Sequence, residues 1–258
     1  MEAATIDDVV DRLDQIVLRS IGDGDRRGYF PALYNRVTMR VRDGVRRGEF
    51  EDNARMERLD VVFANRYLDA YDLYARGERP TRPWQRAFDA AKGDGLLVIQ
   101  HLTLGMTAHI MLDLGIAVAE VAPGGRLAAL RRDYLHINDL LAEEIDLVED
   151  QLVEIAGHWR ADLGAALGFA DRAAQRADET AASLLIDAAR GKAWDFAVRL
   201  VEAPALARRA LLELHEAATT LLADAVLLTS PAIDLLAGGG ERDVAENIRI
   251  LARGEIGA

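Results

Sequence analysis

The sequence contains no cysteine, which excludes disulfide bonds and thiolate chemistry. A metal ion would therefore have to be held by histidine, carboxylate, carbonyl or water ligands. Lysine is also scarce, because it occurs only at Lys92 and Lys192, and this leaves few candidates for Schiff-base catalysis. The phosphate-binding, dinucleotide-binding, zincin and serine-hydrolase motifs are all missing, so the sequence gives no support to those four classes of enzyme.

Basic residues are fewer than acidic ones, which gives a formal net charge of −12 and a pI near 4.9. Nucleic-acid affinity comes largely from Lys and Arg that neutralise phosphates, so we expect no nucleic-acid partner. The first eight residues are acidic and lack the basic and apolar regions of an export signal. We therefore expect a cytoplasmic protein.

One apolar run, from Leu96 to Ala119, is long enough to raise the question of a transmembrane helix. Polar side chains interrupt it at Gln100, His101, His109 and Asp113, and no cluster of Lys or Arg flanks it. We expect no membrane association, and we interpret the run as a buried helix of a soluble protein.

Hydrophobic residues make up 50% of the chain and charged residues 29%, which is typical of a globular protein. Helical periodicity with short Gly or Pro breaks, and no alternating β-branched stretches, predicts an all-α fold. We expect a single domain over residues 1–258, a multi-helix bundle around a buried central helix, with a softer seam near Gly157 to Gly168. The predicted helices are Ile6–Ser20, Tyr29–Arg47, Asn53–Arg76, Trp84–Ala91, Gly95–Val121, a long helix from Arg126 to about Ala156, Asp171–Val201, Pro204–Leu228 and Glu241–Arg253.

The central helix is apolar on every face, so its polar side chains need partners inside the protein. His109 and Asp113 are four residues apart on one face and could bind the same cation. His101 lies eight residues before His109, about 12 Å along the axis, too far to share that ion. It could act as a proton carrier. Gly105 would let another backbone or a ligand approach closely.

Three interpretations of His109 and Asp113 remain open: a structural ion pair, a catalytic acid or base pair, and a metal site. Two protein ligands are too few to bind zinc tightly, so a metal site would need Asp60 or Asp139 nearby. A divalent metal is thus an open alternative and no other cofactor is indicated.

Two further polar residues fall on helix faces that we expect to be buried. Asp60 lies within the apolar stripe of the third helix, where it is either a site residue or one partner of a salt bridge to Arg55 or Arg66. Asn138 occupies a core position in the long helix. It is either a buried asparagine that fixes helix register or a ligand to substrate or metal.

Three segments together resemble a domain-of-unknown-function family found mainly in actinobacteria. The resemblance covers roughly Tyr29 to Leu200, and the His101 to Asp113 segment is its most specific part. It implies no established activity, but it marks a set of positions as functionally important. The segments are Gly28-Tyr29-Phe30-x-x-Leu33-Tyr34, the stretch from Arg55 to Tyr67, and His101-Leu102-x-Leu104-Gly105-Met106-x-Ala108-His109-Ile110-x-Leu112-Asp113; the marked positions are Asp60, Asn65, His101, His109, Asp113 and Asn138.

Two weaker resemblances suggest chemistry. The spacing Gly105-x-x-x-His109-x-x-x-Asp113 is similar to a zinc-ligand helix of the phospholipase C and nuclease P1 group, which implies phosphoester hydrolysis. The chain lacks that group's N-terminal Trp and its further His-rich ligands. The stretch Asn138-Asp139-x-x-Ala142-x-x-x-Asp146 resembles a degraded second metal motif of class I terpene synthases, whose Asp-rich first motif is missing.

We therefore expect a small-molecule enzyme with a pocket between the third helix, the central helix and the helix of Asn138. His101, His109 and Asp113 are the predicted catalytic residues, His109 and Asp113 the candidate metal ligands, and Asp60, Asn65 and Asn138 the predicted substrate-binding residues. Metal-dependent hydrolysis is the first expectation for the reaction. A cyclase or isomerase acting on an apolar natural product is the alternative, and a non-catalytic binding or scaffold protein is another. A homodimer is compatible with the sequence.

Overall fold

A computed structural model describes residues 2–156, 172–228 and 243–253. These residues form helices, with no strand among them, which confirms the predicted all-α class. The helices are α1 Ile6–Asp23, α2 Tyr29–Arg47, α3 Asn53–Ala75, α4 Arg82–Ala90, α5 Val98–Met106, α6 Gly115–Val121, α7 Leu127–Ala156, α8 Arg172–Glu202, α9 Ala205–Leu228 and α10 Val244–Leu251. A π-helical segment, Thr107–Leu114, joins α5 to α6, so that residues 98–121 form one central helix.

Local signals in the sequence set the ends of these helices. Thr5 caps α1 by accepting a hydrogen bond from the Asp8 amide, and the Asp8 carboxylate accepts one from the Thr5 amide in return. Gly24 and Gly48 end α1 and α2 in the left-handed conformation, with φ of 62° and 73°. Helix α1 therefore continues to Asp23, one turn beyond the predicted end at Ser20, because Gly24 rather than Gly22 provides the cap.

The central helix lies inside the bundle, in contact with α2, α3, α4, α8 and α9. Two glycines allow its neighbours to come close. A Cβ at Gly105 would lie 2.4 Å from Cδ2 of Phe30, and a Cβ at Gly115 would lie 2.7 Å from the carbonyl oxygen of Ala193. A neighbour does come close at Gly105, but it is the Phe30 ring of α2 and not the backbone or ligand that the sequence predicted.

Among the described residues, Val98–Val121 is the one helix long and apolar enough to cross a membrane, with a mean hydropathy of 1.6. It is mostly buried against the surrounding helices, as core helices of soluble proteins are. This supports the interpretation as a soluble protein, and the cytoplasmic location stays a prediction. The predicted seam near Gly157 to Gly168 lies outside the described residues, so the single-domain organisation also stays a prediction.

Candidate active site

The π-helical segment carries His109 and Asp113, both almost fully buried at 2% and 1% exposure. Their spacing brings His109 Nδ1 to 3.5 Å from Asp113 Oδ2, the long end of the hydrogen-bonding range. Short π-helical stretches inside α-helices are frequent at functional sites. His215 of α9 contacts the same segment, with its Nε2 2.6 Å from the Met111 carbonyl oxygen.

Asp113 accepts two further hydrogen bonds. Arg66 Nε of α3 donates to Oδ1 at 3.0 Å, and Trp84 Nε1 of α4 donates to Oδ2 at 2.7 Å. Both partners are donors only, so the carboxylate acts as an acceptor towards each. His109 Nδ1 then carries its proton towards Asp113, which leaves the lone pair on Nε2.

Aromatic rings surround His109. Phe63 of α3 stacks on its ring with a centroid separation of 3.6 Å and an interplanar angle of 9°. Tyr34 packs edge-on at 4.6 Å, and Phe30 and Trp84 lie at 5.6 and 5.9 Å. Burial is the main cause that lowers the pKa of His109, and it outweighs the opposing effect of Asp113. The imidazole is therefore held neutral near pH 7, in a fixed orientation.

His109 lines a cavity of about 260 Å³ between α2, α3, the central helix, α7 and α8. These include the three helices between which the sequence predicts a pocket. The cavity wall is almost entirely apolar, with few polar side chains. The apolar residues are Phe30, Leu33, Val37, Val41, Met56, Leu59, Phe63, Ile99, Leu102, Met106, Ile110, Leu114, Ile137, Leu141, Val148, Leu152 and Ile186, and the polar or charged ones are Tyr34, Asp60, His109, Tyr134, Glu144, Glu149 and Arg190.

Asp60 borders the same cavity and is 9% exposed. Neither predicted salt bridge forms, because Arg66 pairs with Asp113 and Arg55 pairs with Asp133. Asp60 Oδ2 is buried without a hydrogen-bond partner. Burial, followed by repulsion from Glu57, raises the pKa of Asp60 to about 8, so the side chain carries a proton at neutral pH.

His109 and Tyr34 also border the cavity, and His109 Nε2 is buried without a hydrogen-bond partner. Asp60 is the main electrostatic neighbour of the Tyr34 hydroxyl, so these groups lie on one part of the wall. Asp60 also precedes Phe63, which stacks on His109, by one turn of α3. The residues around the cavity thus include a carboxylic acid, an imidazole and a phenol, whose polar atoms are buried in its wall.

His101 does not join this group. It is 6% exposed and packs against Tyr29 at a centroid distance of 5.5 Å, and it does not border the cavity. Burial lowers the pKa of His101 to about 4, with a smaller contribution from Arg26. The geometry therefore gives no support to its predicted role as a proton carrier.

The two predicted asparagines also lie away from the cavity wall. Asn65 exchanges two hydrogen bonds of 2.9 Å with the backbone of Ala3 and so anchors the segment before α1. Asn138 is half-buried rather than in the core, and its Oδ1 accepts a hydrogen bond from Arg190 Nε. Neither asparagine contacts the cavity directly, so substrate binding by either stays a prediction.

The donor set around His109 and Asp113 does not fit a metal ion. Both carboxylate oxygens already accept from Arg66 and Trp84, and the Arg66 guanidinium would repel a cation. Asp139, one candidate third ligand, is exposed and contacts His136. Within residues 2–156, 172–228 and 243–253, no cluster of three His, Asp or Glu side chains is arranged to bind a metal. The Asp146 side chain of the terpene-synthase-like motif lies outside the described part.

Several residues of the site were not predicted from the sequence. Arg66 pairs with Asp113 and not with Asp60. Trp84, Tyr34, Phe63 and Arg190 were not among the predicted site residues. Phe63 falls on the predicted apolar stripe of α3, which was an available signal, whereas the partner of each arginine depends on how the helices pack.

The comparisons with known proteins give a family but no activity. A family model described as a family of unknown function (DUF5995) matches residues 6–229. No curated protein and no solved structure matches the chain.

Proposed function

The chain belongs to DUF5995, a family of unknown function, and we propose that it is an enzyme that catalyses proton transfer on a largely apolar small molecule. One observation carries the proposal. Asp60 Oδ2 and His109 Nε2 are buried without partners at a single apolar cavity. Buried polar atoms are normally hydrogen-bonded, and titratable exceptions beside a cavity favour a catalytic role.

His109 is suited to act as the general base. It is neutral near pH 7, and Asp113 holds the Nδ1 proton, so the free Nε2 can accept a proton from a substrate C–H or O–H group. Asp113 also stabilises the imidazolium that forms. Its hydrogen bonds to Arg66 and Trp84 keep the carboxylate fixed while the proton moves.

Asp60 is suited to act as the general acid. Since its pKa is raised to about 8, it carries a proton that it can donate to a developing negative charge on a substrate oxygen. The Tyr34 hydroxyl can hold that oxygen in place. Proton removal from the α carbon by His109 and proton donation to the carbonyl oxygen by Asp60 together convert a β,γ-unsaturated carbonyl compound into its dienol. The imidazolium of His109 then protonates the γ carbon while the dienol hydroxyl returns its proton to Asp60, which completes an isomerisation and restores both groups.

The apolar wall favours isomerisation or cyclisation over hydrolysis, because hydrolysis needs a water molecule held by polar groups beside the substrate. Metal-dependent hydrolysis is the less favoured reaction, since the donor set at His109 and Asp113 does not fit a metal. The phosphoesterase resemblance contributes nothing further to the proposal.

The test is a screen for proton transfer in D2O. The full chain is incubated with fractionated small-molecule extracts, and mass spectrometry detects compounds that gain deuterium or change mass. We expect at least one compound to react with the wild-type protein. We expect His109→Gln and Asp60→Asn to slow that reaction about 100-fold or more.

Asp133→Asn is the matched control for stability. Asp133 is also a buried carboxylate, but it accepts hydrogen bonds from the Glu51 and Asp52 amides and from Arg55. We expect Asp133→Asn to lose about 2 to 3 kcal/mol of unfolding free energy, and Asp60→Asn to lose none. A reaction that persists in both site variants would overturn the proposal. So would tight ligand binding without any turnover, which would instead indicate the non-catalytic binding protein.

A further inference from the structure

Arg190 of α8 is a buried cation in the apolar cavity wall. It is 5% exposed and borders the same cavity as His109 and Asp60. Buried charges in proteins are normally paired with an opposite charge. Among the described residues, no carboxylate forms a salt bridge with Arg190. The carboxylate that acts electrostatically on Arg190 is that of Asp187. Asp187 is exposed and makes no ion pair with Arg190.

Protein groups accept hydrogen bonds from only some of the N–H donors of the Arg190 guanidinium. Nε donates to Asn138 Oδ1, one Nη donates to the Tyr134 carbonyl oxygen at 2.8 Å, and the group lies over the Tyr134 ring at 4.5 Å. A guanidinium has five N–H donors in a fork that matches a carboxylate. The second Nη group has no hydrogen bond within the described part of the chain. Arg190 is thus oriented by neutral partners and keeps donors for a ligand.

Arg190 and His109 occupy different parts of the wall. The electrostatic neighbours of Arg190 are Tyr134 and Asp187, whereas those of His109 are Asp113 and Arg66. Besides Asp60 of α3, the acidic side chains that border the cavity are Glu144 and Glu149, farther along α7. Glu144 is six residues beyond Asn138, about 9 Å along the axis, and it pairs with Arg36 at 2.9 Å. Among the described residues, no carboxylate therefore competes with an anionic ligand for Arg190.

We propose that the ligand of this cavity is an apolar monocarboxylic acid, whose carboxylate pairs with Arg190 while its apolar body fills the space towards Asp60 and His109. This inference rests on the proposed function, since it concerns the substrate of the same site. An apolar cavity of about 150 Å³ holds benzene, so a cavity of about 260 Å³ holds about ten non-hydrogen atoms. One arginine matches one carboxylate, whereas a phosphate dianion would keep an uncompensated charge in the apolar wall.

Decanoate and 1-decanol are suitable probes, because they share an alkyl chain and differ in the charged group. Isothermal titration calorimetry on the full chain should show that decanoate binds at least tenfold more tightly than decanol. In Arg190→Met, decanoate affinity should fall at least tenfold while decanol affinity is unchanged. Unchanged decanol binding also shows that the variant folds.

Arg131→Met is the matched control variant. Arg131 also lies over an aromatic ring, Trp194 at 4.6 Å, but it does not border the cavity. It should leave the affinities of both probes unchanged.

A second measurement needs no variant: the carboxyl ¹³C signal of labelled decanoate should show that the bound acid stays ionised to lower pH than the free acid.

The inference is overturned if wild-type protein binds the two probes equally, or if Arg190→Met keeps the preference for decanoate. Either result leaves the roles of His109 and Asp60 intact, because proton transfer is measured separately by deuterium gain. Absence of binding by either probe contradicts the cavity as a binding site, and with it both proposals.

Discussion

Asp60 and Asp133 are both buried carboxyl groups, yet their surroundings give them opposite properties. Asp133 receives two backbone N–H groups and a guanidinium, so the anion is compensated. Asp60 has no ion pair among the described residues and one oxygen without a partner, so the protonated form is favoured. A protonated acid in an apolar wall is suited to donate a proton or a hydrogen bond to a ligand.

The pH dependence of stability should show this difference. The folded-state pKa of Asp60, about 8, is higher than its ordinary value of 3.8. Between these values the folded protein binds more protons than the unfolded chain, so the stability from Asp60 is present below pH 3.8 and is lost as pH rises towards 8. Asp60→Asn should remove this decline, which is up to about 4 kcal/mol between pH 5 and pH 8.

Urea unfolding of both proteins across that pH range provides the measurement. The difference in unfolding free energy between Asp60→Asn and wild type should grow steadily with pH, in favour of the variant. A constant difference would mean that Asp60 is ionised in the folded protein at neutral pH. In that case it could not act as the proton donor.

At the level of single residues, the sequence predicted burial better than pairing. The apolar surroundings of residues 98–121 indicated that His109 and Asp113 are buried and close together, and both features are present. Periodicity cannot show which distant side chain reaches a carboxylate. Arg66 and Trp84 reach Asp113 from α3 and α4, and that contact depends on how those helices pack against the central one.

At the level of elements, glycine and proline breaks located most helix ends to within a few residues, because these residues act locally. The π-helical segment Thr107–Leu114 was not predicted. Its residues suit an ordinary α-helix, and the alternative hydrogen-bond pattern depends on contacts with other helices, such as that of His215 with the Met111 carbonyl. A local signal for it is absent from the sequence.

Gly105 shows how one contact between helices outweighs helix propensity. Replacing a mid-helix glycine with alanine normally stabilises a helix by about 1 kcal/mol. In Gly105→Ala the new methyl would lie 2.4 Å from the Phe30 ring, which also packs on His109. We expect Gly105→Ala to lose about 1 to 3 kcal/mol of unfolding free energy, as overpacked cores do, and to disturb the site.

Gly191→Ala in α8 is the control, because no atom lies within 4 Å of the position that its Cβ would occupy. It should gain about 0.5 to 1 kcal/mol of unfolding free energy. Thermal and urea unfolding of the two variants compare them directly. If both substitutions stabilise the protein, Phe30 does not pack against the central helix as described.

At the level of the whole molecule, the bundle leaves a partly open cavity of about 260 Å³ where close packing would give a more stable core. Five helices border it, so its volume is a property of the tertiary arrangement and not of any one element. The sequence predicted that three of them, α3, the central helix and α7, would meet there, and it did not predict the contributions of α2 and α8. It could not predict the volume, because small changes in helix separation decide whether side chains fill the space.

If the cavity binds a ligand, a larger side chain that occupies the cavity should stabilise the protein and prevent ligand binding. Leu59→Phe adds volume to a cavity-lining side chain of α3, and we expect it to stabilise the ligand-free protein by about 1 kcal/mol, a rise of about 2 to 4 °C in Tm. The Tm increase that decanoate causes in the wild type should be lost.

Leu130→Phe is the control: Leu130 is fully buried away from the cavity, so overpacking should destabilise that variant by about 1 to 3 kcal/mol. Equal destabilisation by both substitutions would show that the space beside Leu59 is already filled by protein. A stabilised Leu59→Phe that still responds fully to decanoate would instead place the ligand outside this cavity.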